Sequence, residues 1–419
     1  MSEEAGGRMV PGESELVFDW NKQEEQPRPE RVEFDDETLR DGIQSPSARD
    51  PDIDQKLRIL HLMAGLGIDA VDLGLPGASQ RQRDDVKRMA EEIRDQQLEI
   101  LPNCAARTVI ADIEPILEVA DEVGIPIEVS CFIGSSPIRQ YAEGWTLDTM
   151  LALSEKAVTF AVERGMPVMF VTEDTTRARP EDVRRLYTTA IECGAKRVCV
   201  CDTVGHATPE GVDALVRFVC TIVKETGEDV GVDWHGHRDR GLDLINTLTA
   251  IRAGASRVHA CGLGIGERSG NAPMDLLLVN LKLLGWIDRD LTRLAEYCRV
   301  ISEACEVPIP SNYPVVGSDA FETGTGVHAA AVIKAFRKGD AWLADRVYSG
   351  VPAGQFGLQQ RIRVGPMSGR SNVIYWLEQH SIEPDDAVVQ RIFDAAKQST
   401  RLLEDDEIEA LARSCGDSG

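Results

Sequence analysis

The stretch Val32–Gln44, VEFDDETLRDGIQ, decides the fold. It opens on a β-favouring run and passes straight into charged residues, with no glycine-rich turn between them. A doubly wound open sheet usually carries such a turn after its first strand, to seat a phosphate on the next helix. Without the turn, Val32–Glu37 reads as a first strand that delivers Arg40 and Asp41 to an open rim. Seven runs of the same kind follow: Ala70–Leu75, Glu99–Asn103, Ile127–Ile133, Val168–Thr172, Arg197–Asp202, Gly231–His235 and Arg257–Gly262. Between them, apolar residues recur at helical spacing. Gly67, Gly124, Gly165, Gly194 and Gly254 fall where a helix should stop and the chain turn into a strand. Asp50-Pro51 and Thr208-Pro209-Glu210 have the cap-then-proline order of helix starts. Eight strand–helix units in about 250 residues predict an α/β chain with a (β/α)8 TIM barrel over residues 31–288.

Both flanks differ from this pattern. Residues 1–30 are polar and rich in Glu and Pro, which predicts an N-terminal arm with a short strand or hairpin near Leu16–Trp20. After about Gly285 the alternation stops. Helices are expected over Leu291–Cys305 and Val327–Arg337, then a glycine-rich stretch from Ser349 to Asn372, then helix from Val373 to Arg413. Residues 289–419 thus read as an appended C-terminal helical subdomain.

The net charge of −25 over 419 residues argues against nucleic acid or anionic membrane as a partner, since both need a basic face. No run approaches the roughly 20 apolar residues of a membrane span, and the acidic start lacks signal-peptide order. A cytoplasmic protein is expected. The ten cysteines lie mainly in apolar runs, as at Cys199, Cys201, Cys220 and Cys261, and read as small buried thiols.

A TIM barrel builds its site from the C-terminal ends of its strands. The seventh strand ends in His235-Gly236-His237, and i, i+2 spacing on a strand puts both imidazoles on one face. Asp41, after the first strand, can add a carboxylate, and this donor set suits a divalent cation with positions left open for substrate oxygens. Arg40 beside it can stabilise an oxyanion developing on a bound carbonyl. Thr203, after strand six, can hydrogen-bond a substrate carboxylate; Asp202 can support the site or cap a turn.

DETLRDGIQSP (36–46), FVTEDTTR (170–177), CDTVGHATPE (201–210), HGHRDRGL (235–242) and GIGERSGNAPMD (264–275) together resemble the DRE-type TIM-barrel metallolyases. Within that superfamily they are similar to the 2-isopropylmalate, homocitrate and citramalate synthase branch. FETGTGVHAAAVIKA (321–335) resembles the family's His-bearing helix, and VGPMSGRSN (364–372) its Ser-Gly-Arg loop. The resemblance implies a Claisen-type condensation of acetyl-CoA with a 2-oxo acid on Mg²⁺, Mn²⁺ or Zn²⁺. It implies Asp41, His235 and His237 as ligands, Asn271 as a fourth, and Arg40 polarising the ketone. Glu173 and His328 become the acid/base pair, while Gln44, Arg139 and Thr203 bind substrate. A homodimer with His328 contributed in trans follows from the same resemblance.

Three positions depart from the pattern. Ile43 stands where the family usually has Glu, so an acidic group near the metal is expected to be missing. Arg238 replaces Asn after the His-x-His motif, and Arg139 stands where synthases often have His; an added Arg at the mouth can pair with a second substrate carboxylate. At 419 residues, the chain is expected to lack the family's C-terminal leucine-sensing domain. The first expected substrate is 2-oxoisovalerate, as in leucine biosynthesis, with homocitrate or citramalate synthesis as alternatives. A lyase of the same superfamily running retro-aldol or retro-Claisen chemistry is disfavoured, because Cys261 lies in a strand and not in the loop after it.

Overall fold

In a computed structural model the described residues are 16–22 and 31–414. Eight strands close a parallel barrel in chain order: β1 (Glu33–Asp36), β2 (Ala70–Asp72), β3 (Leu101–Arg107), β4 (Glu128–Gly134), β5 (Val168–Glu173), β6 (Arg197–Asp202), β7 (Gly231–Gly236) and β8 (Arg257–Ala260). Pairing of Glu33–Asp36 with Arg257–Ala260 shuts the barrel and sets Asp35 opposite His259. All eight predicted strands are present, β6 with the predicted bounds and the others with one or both ends moved. Asp72, for example, draws the Gly74 N–H onto its own carboxylate at 3.0 Å, and this turn ends β2 before Leu75.

Ile59, Met63, Val86, Met89, Ile113 and Ile116 fill the shell between strands and helices, each fully buried. A side chain of that size contributes about 1.5–3 kcal/mol on burial. Inside the strands the lower layer is polar. Asp233 is held by Arg197 at 2.6 Å and Arg257 at 2.5 Å, and Arg257 also reaches Glu128 at 2.5 Å. Asn103 donates to both oxygens of Asp35 at 2.9 Å. Buried charges here are paired, as a low-dielectric interior demands.

Two local expectations are corrected. The helix Ile53–Gly65 is capped by Asp52, not Asp50: Asp52 accepts from Gln55 N and the Gln55 side chain accepts from Asp52 N, a reciprocal box that wins over the earlier Asp. Asp50 instead pairs with Lys56 Nζ at 2.8 Å. Thr208 does cap its helix, Pro209–Thr226. Near Leu16–Trp20 there is no strand among the described residues. Asp19 accepts the Asn21 N–H at 3.0 Å, which curls the chain into a 3-10 turn over Trp20–Lys22. The rest of the expected arm lies outside the described residues.

Helix Leu294–Cys305 buries Leu294, Tyr297, Cys298 and Ile301 in the barrel's own core, and the Tyr297 hydroxyl donates to Asp36. Helix Gly326–Arg337 follows the two-residue strand Glu322–Thr323, which pairs with Arg361–Ile362. Helices Arg370–Gln379, Asp386–Gln398 and Asp405–Arg413 enclose a separate apolar cluster that includes Val373, Leu377, Val389 and Ile392. Among the described residues, no helix is long and apolar enough to cross a membrane.

Candidate metal centre

The barrel brings His235 and His237, at i, i+2 spacing on one strand face, together with Asp41 as a candidate ligand set. The two Nε2 atoms are 3.2 Å apart, and each lies 3.6 Å from Asp41 Oδ2. Bonds of about 2.1 Å at tetrahedral or octahedral angles place neighbouring donors about 3.0–3.4 Å apart. The three donors fit one divalent cation, and all three residues are buried. Burial, then the neighbouring His235, pushes the His237 imidazole down to about 4, and burial also lowers His235. Both are thereby held in the neutral form that ligates. Burial opposes ionisation of Asp41, but Arg40 and then the two histidines hold its carboxyl well below the usual range.

Asn271 sits behind Gly266. Its Nδ2 donates to Ile265 O at 3.4 Å, while its buried Oδ1 has no protein partner, as suits a group that completes a coordination sphere. Gly266 has φ +154°, and a Cβ there would stand 2.2 Å from Asn271 Nδ2 and 2.9 Å from Asp41 Oδ1. Gly266→Ala is therefore expected to cost about 1–3 kcal/mol of backbone strain and at least ~10-fold in metal affinity. Calorimetric titration with Mn²⁺ checks this; unchanged affinity would show that the site tolerates the methyl group.

A cavity of about 170 Å³ opens over these groups at the C-terminal ends of the strands. Of the residues proposed from the sequence, Arg40, Asp41, Gln44, Glu173, Thr203, His235 and His237 line it. Arg40 donates through Nε to Asp72 at 2.9 Å and through Nη1 to Asp41 at 3.1 Å, and it also pairs with Glu37. The Thr203 hydroxyl oxygen accepts the Asp174 N–H at 2.8 Å, so its own proton is free to turn elsewhere. Glu173 ends β5 on the cavity wall; burial raises its carboxyl, against the pull of Arg139 and Arg40.

Other residues are placed elsewhere. Arg139 is not in the wall; it lies 3.6 Å from Glu173 and 3.5 Å from Glu143. Arg238 turns its side chain against Gly264 and Gly270 beneath the loop after β8, away from the cavity. His328 is exposed and packs on Tyr348, with ring centroids 4.2 Å apart, outside the cavity. Asp202 is a turn cap: it accepts the N–H groups of His206 and Ala207. The nine described cysteines are unpaired, and Cys199 and Cys201 join the wall with sulfurs 3.8 Å apart.

The acid expected to be missing at position 43 is missing, while polar groups from other positions stand near the candidate ligands. Ile43 packs on the apolar core, but Glu37, Asp72 and His259 all face the cavity. A signal for them existed in the chain. Glu33-Asp35-Glu37, Asp233-His235-His237 and Arg257-His259 carry polar groups at period two, the spacing of one strand face.

The family model described as HMGL-like matches residues 31–301. The homocitrate synthase of Methanopyrus kandleri is 34% identical over 372 residues, 88% of each chain. The 2-isopropylmalate synthase of Sulfolobus acidocaldarius is 32% identical, covering 88% of this chain and 90% of that one. For the (R)-citramalate synthase of Methanocaldococcus jannaschii the identity is 30%, over 91% of this chain and 74% of that one. Among solved structures, the HMG-CoA lyase of Bacillus subtilis superposes with a TM-score of 0.57 at 20% identity, covering 68% of this chain and 97% of that one, which is a likeness of fold alone. With the metal-ligand geometry and the motif order, these matches make the chain a member of the HMGL-like family of DRE-type TIM-barrel metallolyases, on the branch of homocitrate, citramalate and 2-isopropylmalate synthases.

Proposed function

We propose that this protein is an acyltransferase that condenses acetyl-CoA with a 2-oxo acid, in a Claisen-type reaction, and releases CoA and a 2-alkylmalate. The observation that carries the reading is the Asp41–His235–His237 triad, set beside Arg40 and Glu173 in one cavity. A divalent cation on that triad, with Asn271 as a further ligand, would supply Lewis-acid polarisation and a template for the oxo acid's carbonyl and carboxylate. Mg²⁺, Mn²⁺ and Zn²⁺ all suit the donor set.

The chain's own groups divide the remaining work. Thr203 turns its free proton to the substrate carboxylate. Arg40 is fixed by three carboxylates and presents a positive charge where alkoxide develops. Glu173 takes a proton from the acetyl methyl group, a task favoured by its raised carboxyl. The new bond joins that methyl carbon to the carbonyl carbon, the alkoxide takes up a proton, and water then cleaves the thioester. His328, exposed in its own chain, acts as the acid from the second subunit of a homodimer.

Leu75, Phe132, Met169 and Val171 also line the cavity, and Arg40, already paired, is the one Arg or Lys among its described lining residues. That lining favours the branched aliphatic side chain of 2-oxoisovalerate and hence 2-isopropylmalate synthesis. A dicarboxylic oxo acid, as in homocitrate synthesis, is the second reading; Arg139 beside Glu173 at the rim favours it. CoA release from acetyl-CoA, measured with each 2-oxo acid with and without Mg²⁺ or Mn²⁺, decides between them. No release with any oxo acid, together with cleavage of a hydroxyacyl-CoA, would replace the synthase by a lyase.

The raised carboxyl of Glu173 sets a pH dependence. The base form is needed, so kcat should rise with pH through a limb placed above the ordinary Glu value. Glu173→Gln should lower kcat by about 10²–10⁴-fold and remove that limb from the pH–rate profile. A variant that keeps both rate and limb assigns the proton to another group.

A further inference from the structure

We propose that Glu37 is a positioning residue that sets the tautomer of His235 and thereby the affinity of the metal centre. The inference rests on the reading of Asp41, His235 and His237 as a divalent-cation site. Glu37 is 3% exposed. Its Oε1 lies 3.2 Å from His235 Nδ1 and 2.6 Å from His259 Nδ1, and its carboxylate also pairs with Arg40.

An ionised carboxylate only accepts hydrogen bonds. His235 must therefore carry its proton on Nδ1, which leaves the Nε2 lone pair facing His237 and Asp41. That is the tautomer a metal ligand needs, fixed from behind by a charged acceptor. His237 has no such support, since its buried Nδ1 has no protein partner. Of the two ligand imidazoles, only His235 is oriented by a carboxylate.

Glu37 is itself locked in place. His259 links it to the floor: its Nδ1 faces Glu37, its Nε2 lies 3.0 Å from Asp233 Oδ2, and Asp233 is gripped by Arg197 and Arg257. A chain of paired polar groups thus runs from the barrel floor to the metal ligands. Glu37, His235 and His259 also lie close enough together to hold an ion of their own. The Arg40 guanidinium on the same carboxylate, and one oxygen shared by two imidazoles, favour hydrogen bonding over a second cation.

The test is Mn²⁺ binding by calorimetry and electron paramagnetic resonance, on the full-length, metal-free protein. Glu37→Gln should weaken Mn²⁺ binding by about 10–100-fold, with the kinetic defect appearing in the Mn²⁺ concentration needed for half-maximal rate. Affinity within twofold of wild type overturns the proposal. So does a stoichiometry of two Mn²⁺ per wild-type chain falling to one in the variant, which would make Glu37 a ligand. A wild-type chain that binds no Mn²⁺ overturns instead the metal-site reading beneath it. If Glu37→Gln does not fold, the wild type still answers. With seven histidines in the chain, ¹⁵N-histidine spectra can be assigned through His235→Asn. An Nδ1–H tautomer at His235 is expected, and an Nε2–H tautomer overturns the proposal.

Discussion

His235→Ala is expected to strip the divalent metal from the chain and lower kcat/KM by at least about 10³-fold, while the barrel stays folded. The triad has one carboxylate and two imidazoles within 3.6 Å of one another, so removing His235 leaves only a pair. Metal polarisation of a carbonyl is worth several kcal/mol of transition-state stabilisation, and each 1.36 kcal/mol is about tenfold in rate. Stability should suffer less than activity. Glu37 keeps His259 and Arg40 as partners, so no buried carboxylate is left bare. Metal content per chain, CoA release and circular dichroism measure the three effects. Activity that survives both chelation by EDTA and this substitution would remove the metal from the reaction.

Arg40→Ala should damage stability and chemistry together. The side chain is 18% exposed and sits among Glu37, Asp41 and Asp72. Removing one partner of a buried ionic cluster leaves uncompensated charge, at a cost of about 3–5 kcal/mol. Burial already raises the Asp72 carboxyl to about 6, and Arg40 is the cation that restrains it. Without that cation, Asp72 and Asp41 both bind protons more tightly in the folded variant than in the folded wild type. The deficit should therefore be greatest at neutral pH and shrink as pH falls toward and below 6. Denaturant unfolding at pH 7 and at pH 5.5 reads this; a deficit under ~1 kcal/mol, or one that grows at low pH, contradicts it. Arg40→Lys keeps a charge but loses the planar fork, and should cost about 10²–10³-fold in kcat with a smaller loss of stability.

What was legible in the chain was legible for local reasons. The strand runs were visible because apolar content and glycine stops act over a few residues, so β6 was read to the residue at Arg197–Asp202. His235 and His237 were visible because i, i+2 spacing alone assigns a strand face. Where a nearby side chain competes for the backbone, the reading slipped. Asp52 took the cap expected of Asp50, and Asp72 ended β2 early.

The sequence by itself determined the barrel, its rim and the side chains proposed as metal ligands, since each depends on spacing within one strand or loop. Only the closed barrel decided what surrounds them. Glu37 and His235 are 198 positions apart, and Glu37 and His259 are 222 apart. They meet because β8 pairs with β1 in the register Asp35↔His259. Closure likewise turned Arg238 under a loop, held Arg139 at the rim and left His328 on the surface. Side-chain direction along a strand is a local property of the backbone, whereas contact across a barrel depends on ring closure and register.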